Sequence, residues 1–272
     1  MTMANNFGKD SELYIKARAL NGITILEDSF FTAPYKIAKP FFSQDRRLMN
    51  ILVMSASAGI MEGDCYRVDV KLGAASRVAL LGQSYNKIHR MKAGKATLVN
   101  RFFLEEGAFF DYAPKPTIPF AGSSFESATE CRMESGSSYL YSEVLACGRE
   151  KSGERFGFKV YKSCNRIYLN DELIFIDNQL LSPECQVLDG TGFFEGYTHQ
   201  AALAYFCEDF NEGLLESLYK ILEQISGIDF GMTKIKKYGM LVRILGHSSD
   251  ILEKSLAGLR DKIYSSHTGD IV

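Results

Sequence analysis

Short runs of alternating apolar residues, each ended by a turn residue, constrain the fold of this chain most. Val68, Val70 and Leu72 occupy alternate positions, and a second short apolar run covers residues 78–81 after a turn at Gly73. Alternation with a period of two is typical of a β-strand that buries one face. This stretch therefore predicts two strands joined by a tight turn.

The same pattern recurs along the first two thirds of the chain. Residues 13–19 alternate and are followed by Asn21-Gly22, which is a strong short-range signal for a β-hairpin. Further short runs, separated by Gly, Pro and Asn, argue for a large all-β arrangement. They show no fixed period, so the sequence does not predict a repeat protein.

The last third of the chain changes to a helical period. Residues 211–225 place leucine and isoleucine on one helical face, with Asn211 as a predicted cap and Gly227 as a predicted stop. A second helix is predicted after Ser248 or Ser249. The predicted fold is mainly β, a large layered or coiled arrangement of many short strands with about two helices near the C-terminus. Because no linker-like segment divides the chain, we expect one domain over residues 1–272.

Composition excludes several functional classes. Hydrophobic residues make up 46% and charged residues 24% of the 272 residues, as in ordinary globular proteins. The formal net charge of −2 gives no electrostatic reason to expect nucleic acid or a membrane as a partner. No apolar run approaches the ~20 residues of a membrane helix, and no signal-peptide core is present. The six cysteines lack a C-x-x-C pair, so we expect buried, reduced thiols and a cytoplasmic location.

Sequence motifs for common enzyme chemistry are absent. The chain contains no phosphate loop, no strand-linked G-x-G-x-x-G, no G-x-S-x-G elbow and no H-E-x-x-H helix. The four histidines are far apart, whereas a preformed metal site usually places two of them within one turn or strand.

Acidic residues beside turns and strand ends are the remaining candidates for a site. Glu62 and Asp64 flank a glycine, Glu143 lies on a predicted strand, and Asp177 ends an apolar run. Glu62 and Asp64 could simply shape their turn. An interior carboxylate such as Asp177 must be paired, usually with arginine, or its pKa rises. Arg149 could pair with Glu143 or with Asp177 in this way.

Four stretches, in this order, resemble the UreD/UreH family of urease accessory proteins. The apolar run that ends at Asp177 fits the same family. The stretches are APYKIAKPFF at residues 33–42, SASAGIMEGD at 55–64, LLGQSYNKIHR at 80–90 and GREKSGERF at 148–156.

The resemblance implies a non-enzymatic scaffold. Such a protein is expected to bind a UreF-type accessory protein, which recruits a UreG-type GTPase, and the resulting dimeric accessory complex docks on apo-urease. It implies that nickel passes in transit through an internal water-filled tunnel, with no cofactor bound permanently. The matching positions are Asp64, Glu143 and Asp177, with Glu62 beside them and Arg149 as their charge partner. Carboxylate oxygens hold nickel less tightly than imidazole or thiolate, which suits transfer.

Two other classes of function remain open from the sequence. A metal-dependent, β-rich hydrolase would use Glu62, Asp64 or Glu143 as acid or base. The second class is a β-sandwich module that binds a carbohydrate or a peptide. A chain without tryptophan is a weaker candidate for stacking against a sugar ring. A scaffold, in contrast, is expected to expose a sizeable apolar patch when it is alone.

Overall fold

The computed structural model describes residues 10–43 and 47–268. This part of the chain forms eighteen β-strands and two α-helices. In chain order the strands are β1 (Asp10–Leu20), β2 (Ile23–Phe31), β3 (Tyr35–Ile37), β4 (Phe41–Phe42), β5 (Met49–Ser55), β6 (Cys65–Leu72), β7 (Arg77–Gly82), β8 (Asn86–Ile88), β9 (Ala96–Leu104), β10 (Phe109–Ala113), β11 (Thr117–Pro119), β12 (Ser124–Met133), β13 (Ser138–Ala146), β14 (Val160–Leu169), β15 (Glu172–Leu181), β16 (His199–Phe206), β17 (Ile228–Ile235) and β18 (Gly239–Gly246). The helices are α1 (Glu212–Glu223) and α2 (Ser249–Thr268).

Two stacked sheets form the body of the molecule. Sheet A has the strand order β15-β14-β12-β9-β6-β1-β2, and the main path of sheet B is β17-β18-β16-β13-β10-β7-β5-β3. Between β5 and β14 the chain passes from one sheet to the other, and successive strands within each sheet pair in parallel. The short strands β8 and β11 pair in parallel with each other, and β11 joins sheet B through β13. The result is a coiled β-solenoid, so the prediction of a mainly β, layered or coiled fold is confirmed.

The turn at Gly73 carries the chain from sheet A to sheet B. The two runs around it form β6 and β7 as predicted, but these strands belong to different sheets. The Asn21-Gly22 turn, in contrast, closes a true hairpin in which Leu20 lies opposite Ile23. Both turn residues have positive φ angles, of 51° and 77°, which Asn and Gly tolerate best.

Successive coils differ in length, which hides the repeat from the sequence. Val78 lies opposite Phe110, 32 residues later, and Phe110 lies opposite Tyr139, 29 residues later. In sheet A, Ser124 lies opposite Val160, 36 residues later. The coils therefore repeat in space without a fixed number of residues, which agrees with the absence of a fixed period in the sequence.

The main core fills the space between the sheets. Phe110, Tyr139 and Phe206 lie side by side on the inner face of sheet B, with successive ring centroids 5.9 and 6.1 Å apart. Pairing of β10, β13 and β16 places their inward positions side by side, so aromatic side chains form a continuous row. This row closes one end of the space between the sheets with apolar side chains.

Both helices pack on the outer face of sheet B. Leu252, Leu259 and Ile263 of α2 are fully buried there, as the helical period predicted. Asn211 caps α1, because its Oδ1 accepts a hydrogen bond from the backbone N–H of Gly213 at 2.7 Å. The described part of the chain contains no helix with both the length and the apolar character needed to cross a membrane.

All six cysteines are free thiols. Cys131, Cys147 and Cys164 are buried, as expected for small apolar side chains. The expectation of burial was wrong for Cys185, which is exposed, and the remaining two are partly exposed.

Candidate functional site

A cavity of about 100 Å³, lined by both polar and apolar side chains, lies between sheets A and B. Its wall crosses four neighbouring strands of sheet A, namely β6, β9, β12 and β14, so it extends about 14 Å along the solenoid at ~4.8 Å per strand. This volume has room for several water molecules. The polar side chains of its wall include Tyr35, Tyr66, Tyr112, Tyr141, Tyr161, Ser127, Thr129, Ser163, Asn86, Asn100 and Glu143.

Polar residues occupy inward positions that a period of two assigns to the core. Asn100, Thr129 and Asn165 lie opposite one another on β9, β12 and β14 and are all buried. Asn100 Nδ2 donates a hydrogen bond to Thr129 Oγ1 at 3.0 Å, whereas Asn100 Oδ1 accepts none from the residues that the structure describes. A buried carbonyl oxygen without a donor is costly, so this atom is well placed to accept a hydrogen bond from water in the cavity.

Glu143 of β13 brings a carboxylate into the cavity wall. Removal from bulk water raises its pKa, and the neighbouring negative charge of Asp177 raises it further. The Tyr141 hydroxyl and the Arg243 guanidinium act in the opposite direction. Glu143 can therefore exchange a proton or bind a cation within a largely uncharged wall.

Asp177 lies on β15, one strand beyond the cavity, and is paired with Arg243 of β18. Arg243 Nη2 donates to Oδ1 and to Oδ2 of Asp177, both at 2.8 Å. The pair lines a surface hollow of about 400 Å³ between the edges of the two sheets. The expectation that this carboxylate needs an arginine is confirmed, but the arginine lies 66 residues away in sequence.

Arg149 has a different partner from those predicted. It forms an ion pair with Glu154, and its guanidinium lies 4.2 Å from the centre of the Phe120 ring. The predicted pairing with Glu143 or Asp177 was wrong, because a short helical turn after Arg149 brings Glu154 back to it. This arginine lowers the pKa of Glu154 through their side-chain hydrogen bonds.

Glu62 holds a neighbouring loop. Its carboxylate accepts hydrogen bonds from the backbone N–H groups of Lys92, Ala93 and Gly94 at 2.7, 3.1 and 2.6 Å. These bonds lower the pKa of Glu62. The geometry therefore supports the turn-shaping alternative for Glu62.

Asp64 shapes the turn before β6 and also reaches the cavity wall. Its Oδ2 accepts from the backbone N–H of Met61 at 2.7 Å and from the Tyr66 hydroxyl at 3.1 Å. Tyr66 lines the cavity, so Asp64 is one hydrogen bond away from it. Of the four predicted carboxylates, Glu143 lies in the cavity wall and Asp64 and Asp177 lie beside it on opposite sides.

Some residues of this site were missed in the sequence. Arg243 gives no local signal, because its partner lies on another sheet. Ser163 and Asn165 did give a local sequence signal, because they are polar residues at inward positions of β14 that are otherwise mostly apolar. Across residues 10–43 and 47–268, no group of three or more His, Cys, Asp or Glu side chains is arranged to hold a metal ion.

The sequence matches known proteins over nearly its whole length. Residues 9–269 match the family described as UreD urease accessory protein. A protein named urease accessory protein UreD from Acetivibrio thermocellus is 56% identical over 96% of this chain and 100% of its own length. Urease accessory protein UreH from Helicobacter hepaticus is 34% identical over 95% of this chain and 96% of its own length. The corresponding UreD protein of Flavobacterium johnsoniae is 30% identical over 93% and 92%. The chain therefore belongs to the UreD family of urease accessory proteins.

Proposed function

We propose that this protein is a urease maturation chaperone and that nickel passes through its cavity on the way to the urease active site. In this proposal it acts in the cytoplasm as a scaffold and catalyses no reaction itself. It binds a UreF-type accessory protein, a UreG-type GTPase through UreF, and apo-urease, within a dimeric accessory complex. Family membership supports the role in urease maturation, and the cavity with its carboxylate and hydroxyl groups supports the passage of a metal ion.

The strand order of sheet A gives the order of the proposed path. Asp64 precedes β6, Glu143 contributes to the wall beside β12 and β14, and Asp177 lies on β15. Four strand spacings separate β6 from β15, which corresponds to about 19 Å. Hydroxyl and amide groups line the interval between the carboxylates, so an ion leaving one carboxylate remains among oxygen ligands.

The chemistry of these ligands suits passage more than storage. Oxygen donors bind Ni²⁺ less tightly than imidazole or thiolate does. A conduit must bind an ion well enough to admit it and weakly enough to release it. One carboxylate surrounded by neutral oxygens meets both conditions, because water can complete the coordination of the ion at each step.

Removing the carboxylate in the cavity wall and the one beside the cavity tests the proposal directly. Tagged wild-type chain is co-expressed with UreF- and UreG-type partners and apo-urease, and pull-down is combined with a nickel-dependent urease assay. Glu143→Gln and Asp177→Asn should each lower activation on the order of tenfold, the effect of about 1.4 kcal/mol, while the partners still co-purify. Asp171→Asn, which alters a 90% exposed carboxylate on the same hairpin, is the matched control and should activate normally.

Two outcomes would contradict the proposal at different levels. Normal activation by both variants, with partners bound, would show that nickel takes another route. A wild-type chain that binds none of the three partners would remove the chaperone role itself.

A further inference from the structure

Two loops at the mouth of the cavity are fastened to a helix outside the sheets. Tyr85, between β7 and β8, and Lys115, between β10 and β11, both line the cavity. The Tyr85 hydroxyl donates to Glu253 Oε2 at 3.0 Å, and Lys115 Nζ donates to Glu253 Oε1 at 2.5 Å. Glu253 lies near the start of α2, so one carboxylate of this helix holds both loops.

The loop that carries Lys115 is closely fitted to the wall. A Cβ atom on Gly82 would lie 2.6 Å from the backbone nitrogen of Lys115, so only glycine lets the chain approach this closely. Tyr85 is 39% exposed and the Lys115 side chain is 37% exposed, which places both residues where the cavity opens to solvent.

The charge at this opening matters for a divalent cation. Lys87 and Lys115 are the two basic residues in the described part of the cavity wall. Glu253 neutralises Lys115, whereas the structure shows no ion pair for Lys87 among the residues it describes. Without Glu253, the partly exposed opening would present two uncompensated positive charges. Such charges lower the rate at which a cation enters a cleft.

We propose that Glu253 is a positioning residue that keeps the cavity open to divalent cations by neutralising Lys115, so that the docking of α2 controls access. This inference rests on the proposed passage of nickel through the cavity. It assigns the regulation of that passage to a helix that contributes nothing to the cavity wall itself.

A purely structural role for Glu253 makes a different prediction. The Lys115–Glu253 pair is partly exposed, with side-chain exposures of 37% and 25%, and pairs of this kind contribute about 1 kcal/mol or less to stability. Leu252, Leu259 and Ile263 already bury α2 against sheet B. Loss of the pair should therefore leave α2 docked and change the electrostatics of the opening.

Stopped-flow binding of Ni²⁺ to the isolated chain separates the two roles. The protein contains no tryptophan, and six of its 14 tyrosines line the cavity. Ni²⁺ binding is therefore followed by tyrosine quenching, and the part of the signal lost in Glu143→Gln is assigned to the cavity. Glu253→Gln should lower the association rate on the order of tenfold, within the range known for local charge effects. The double variant Glu253→Gln/Lys115→Gln should regain the wild-type rate. The defect of the single variant should shrink at 0.5 M salt, because salt screens the free amine.

Controls on the same helix and at the same opening make the test specific. Asp261→Asn removes an exposed carboxylate about two turns further along α2 and should leave the rate unchanged. Lys115→Gln alone should bind at least as fast as wild type. Thermal unfolding checks that each variant is folded.

The proposal is overturned if Glu253→Gln binds Ni²⁺ at the wild-type rate, or if the double variant stays as slow as the single one. Glu143→Gln distinguishes a failure of the control by α2 from a failure of nickel passage itself. If this variant weakens Ni²⁺ binding while Glu253→Gln has no effect, only the control by α2 is wrong. If wild type shows no quenching by Ni²⁺, both the passage of nickel and its control by α2 are wrong.

Discussion

Two glutamates of this chain have pKa values shifted in opposite directions by their surroundings. Three backbone N–H groups stabilise the charged form of Glu62 and lower its pKa. Burial raises the pKa of Glu143, which lines the cavity. A cation favours the charged form of a carboxylate, so the proposed passage of nickel would lower the protonated fraction of Glu143.

The opposite shifts predict opposite effects on stability as the pH changes. Because the folded-state pKa of Glu143 lies above its unfolded value, Glu143 lowers stability as the pH rises above about 4.5, the ordinary value for glutamate. Glu143→Gln should therefore unfold at a higher urea concentration than wild type at pH 8 and at the same concentration at pH 4. The folded-state pKa of Glu62 is lowered, so Glu62 stabilises the wild-type fold when it is charged. Glu62→Gln should therefore be less stable than wild type at pH 8. This difference should disappear as the pH falls through the lowered pKa of Glu62.

Urea midpoints measured across this pH range check both signs. A constant difference between Glu143→Gln and wild type at all pH values would show that packing, and not protonation, determines the effect of the substitution.

At the scale of elements, local patterns predicted the strands and helices but not their partners. The Asn21-Gly22 hairpin and the two amphipathic helices follow from signals within one short stretch of sequence. Pairing in the solenoid joins strands about 30 residues apart through coils of unequal length, and no local signal records it. Asp177 illustrates the same limit. Arg149 was predicted as its ion-pair partner because it is near in sequence, whereas the actual partner is Arg243, which lies near the edge of the other sheet.

A buried ion pair fixes α2 to sheet B and offers a test of that docking. Asp111 of β10 is fully buried, and its Oδ2 accepts from Arg260 Nε at 3.0 Å and Nη2 at 2.5 Å. The Tyr264 hydroxyl also donates to this oxygen. Asp111→Asn should lower the free energy of unfolding by about 3–5 kcal/mol, because it leaves the charge of Arg260 in an interior site. Urea unfolding followed by circular dichroism measures this loss.

The matched control removes a carboxylate from an exposed pair. Asp171→Asn breaks the contact between Arg132 and Asp171, whose side chain is 90% exposed, and should cost about 1 kcal/mol or less. Equal losses in the two variants would contradict the importance assigned to the buried pair.

At the scale of the whole molecule, the cavity is a product of coil stacking. Parallel pairing places equivalent inward residues of successive coils side by side, so polar positions on β9, β12 and β14 merge into one polar space. The sequence contained this signal in Asn100, Thr129 and Asn165, but only the register shows that they are neighbours. Apolar side chains are also exposed on both edge strands of sheet A, including Phe30 of β2 and Leu180 of β15. These edges are consistent with the expected scaffold, while the partner surfaces stay a prediction.

Filling the cavity tests whether the whole solenoid acts as a conduit. Ser163 points inward from β14 into the cavity, whereas its neighbour Lys162 points outward and is exposed. Ser163→Leu adds apolar bulk to a space of about 100 Å³ and should abolish nickel-dependent urease activation, because it removes a hydroxyl and displaces water. Lys162→Leu introduces the same leucine side chain on the outer face of β14. This variant should support urease activation as well as wild type does. Co-purification with the partners and thermal unfolding, measured for both variants, confirm that assembly is intact. Full activation by a folded Ser163→Leu variant would mean that the cavity is not the route of the metal.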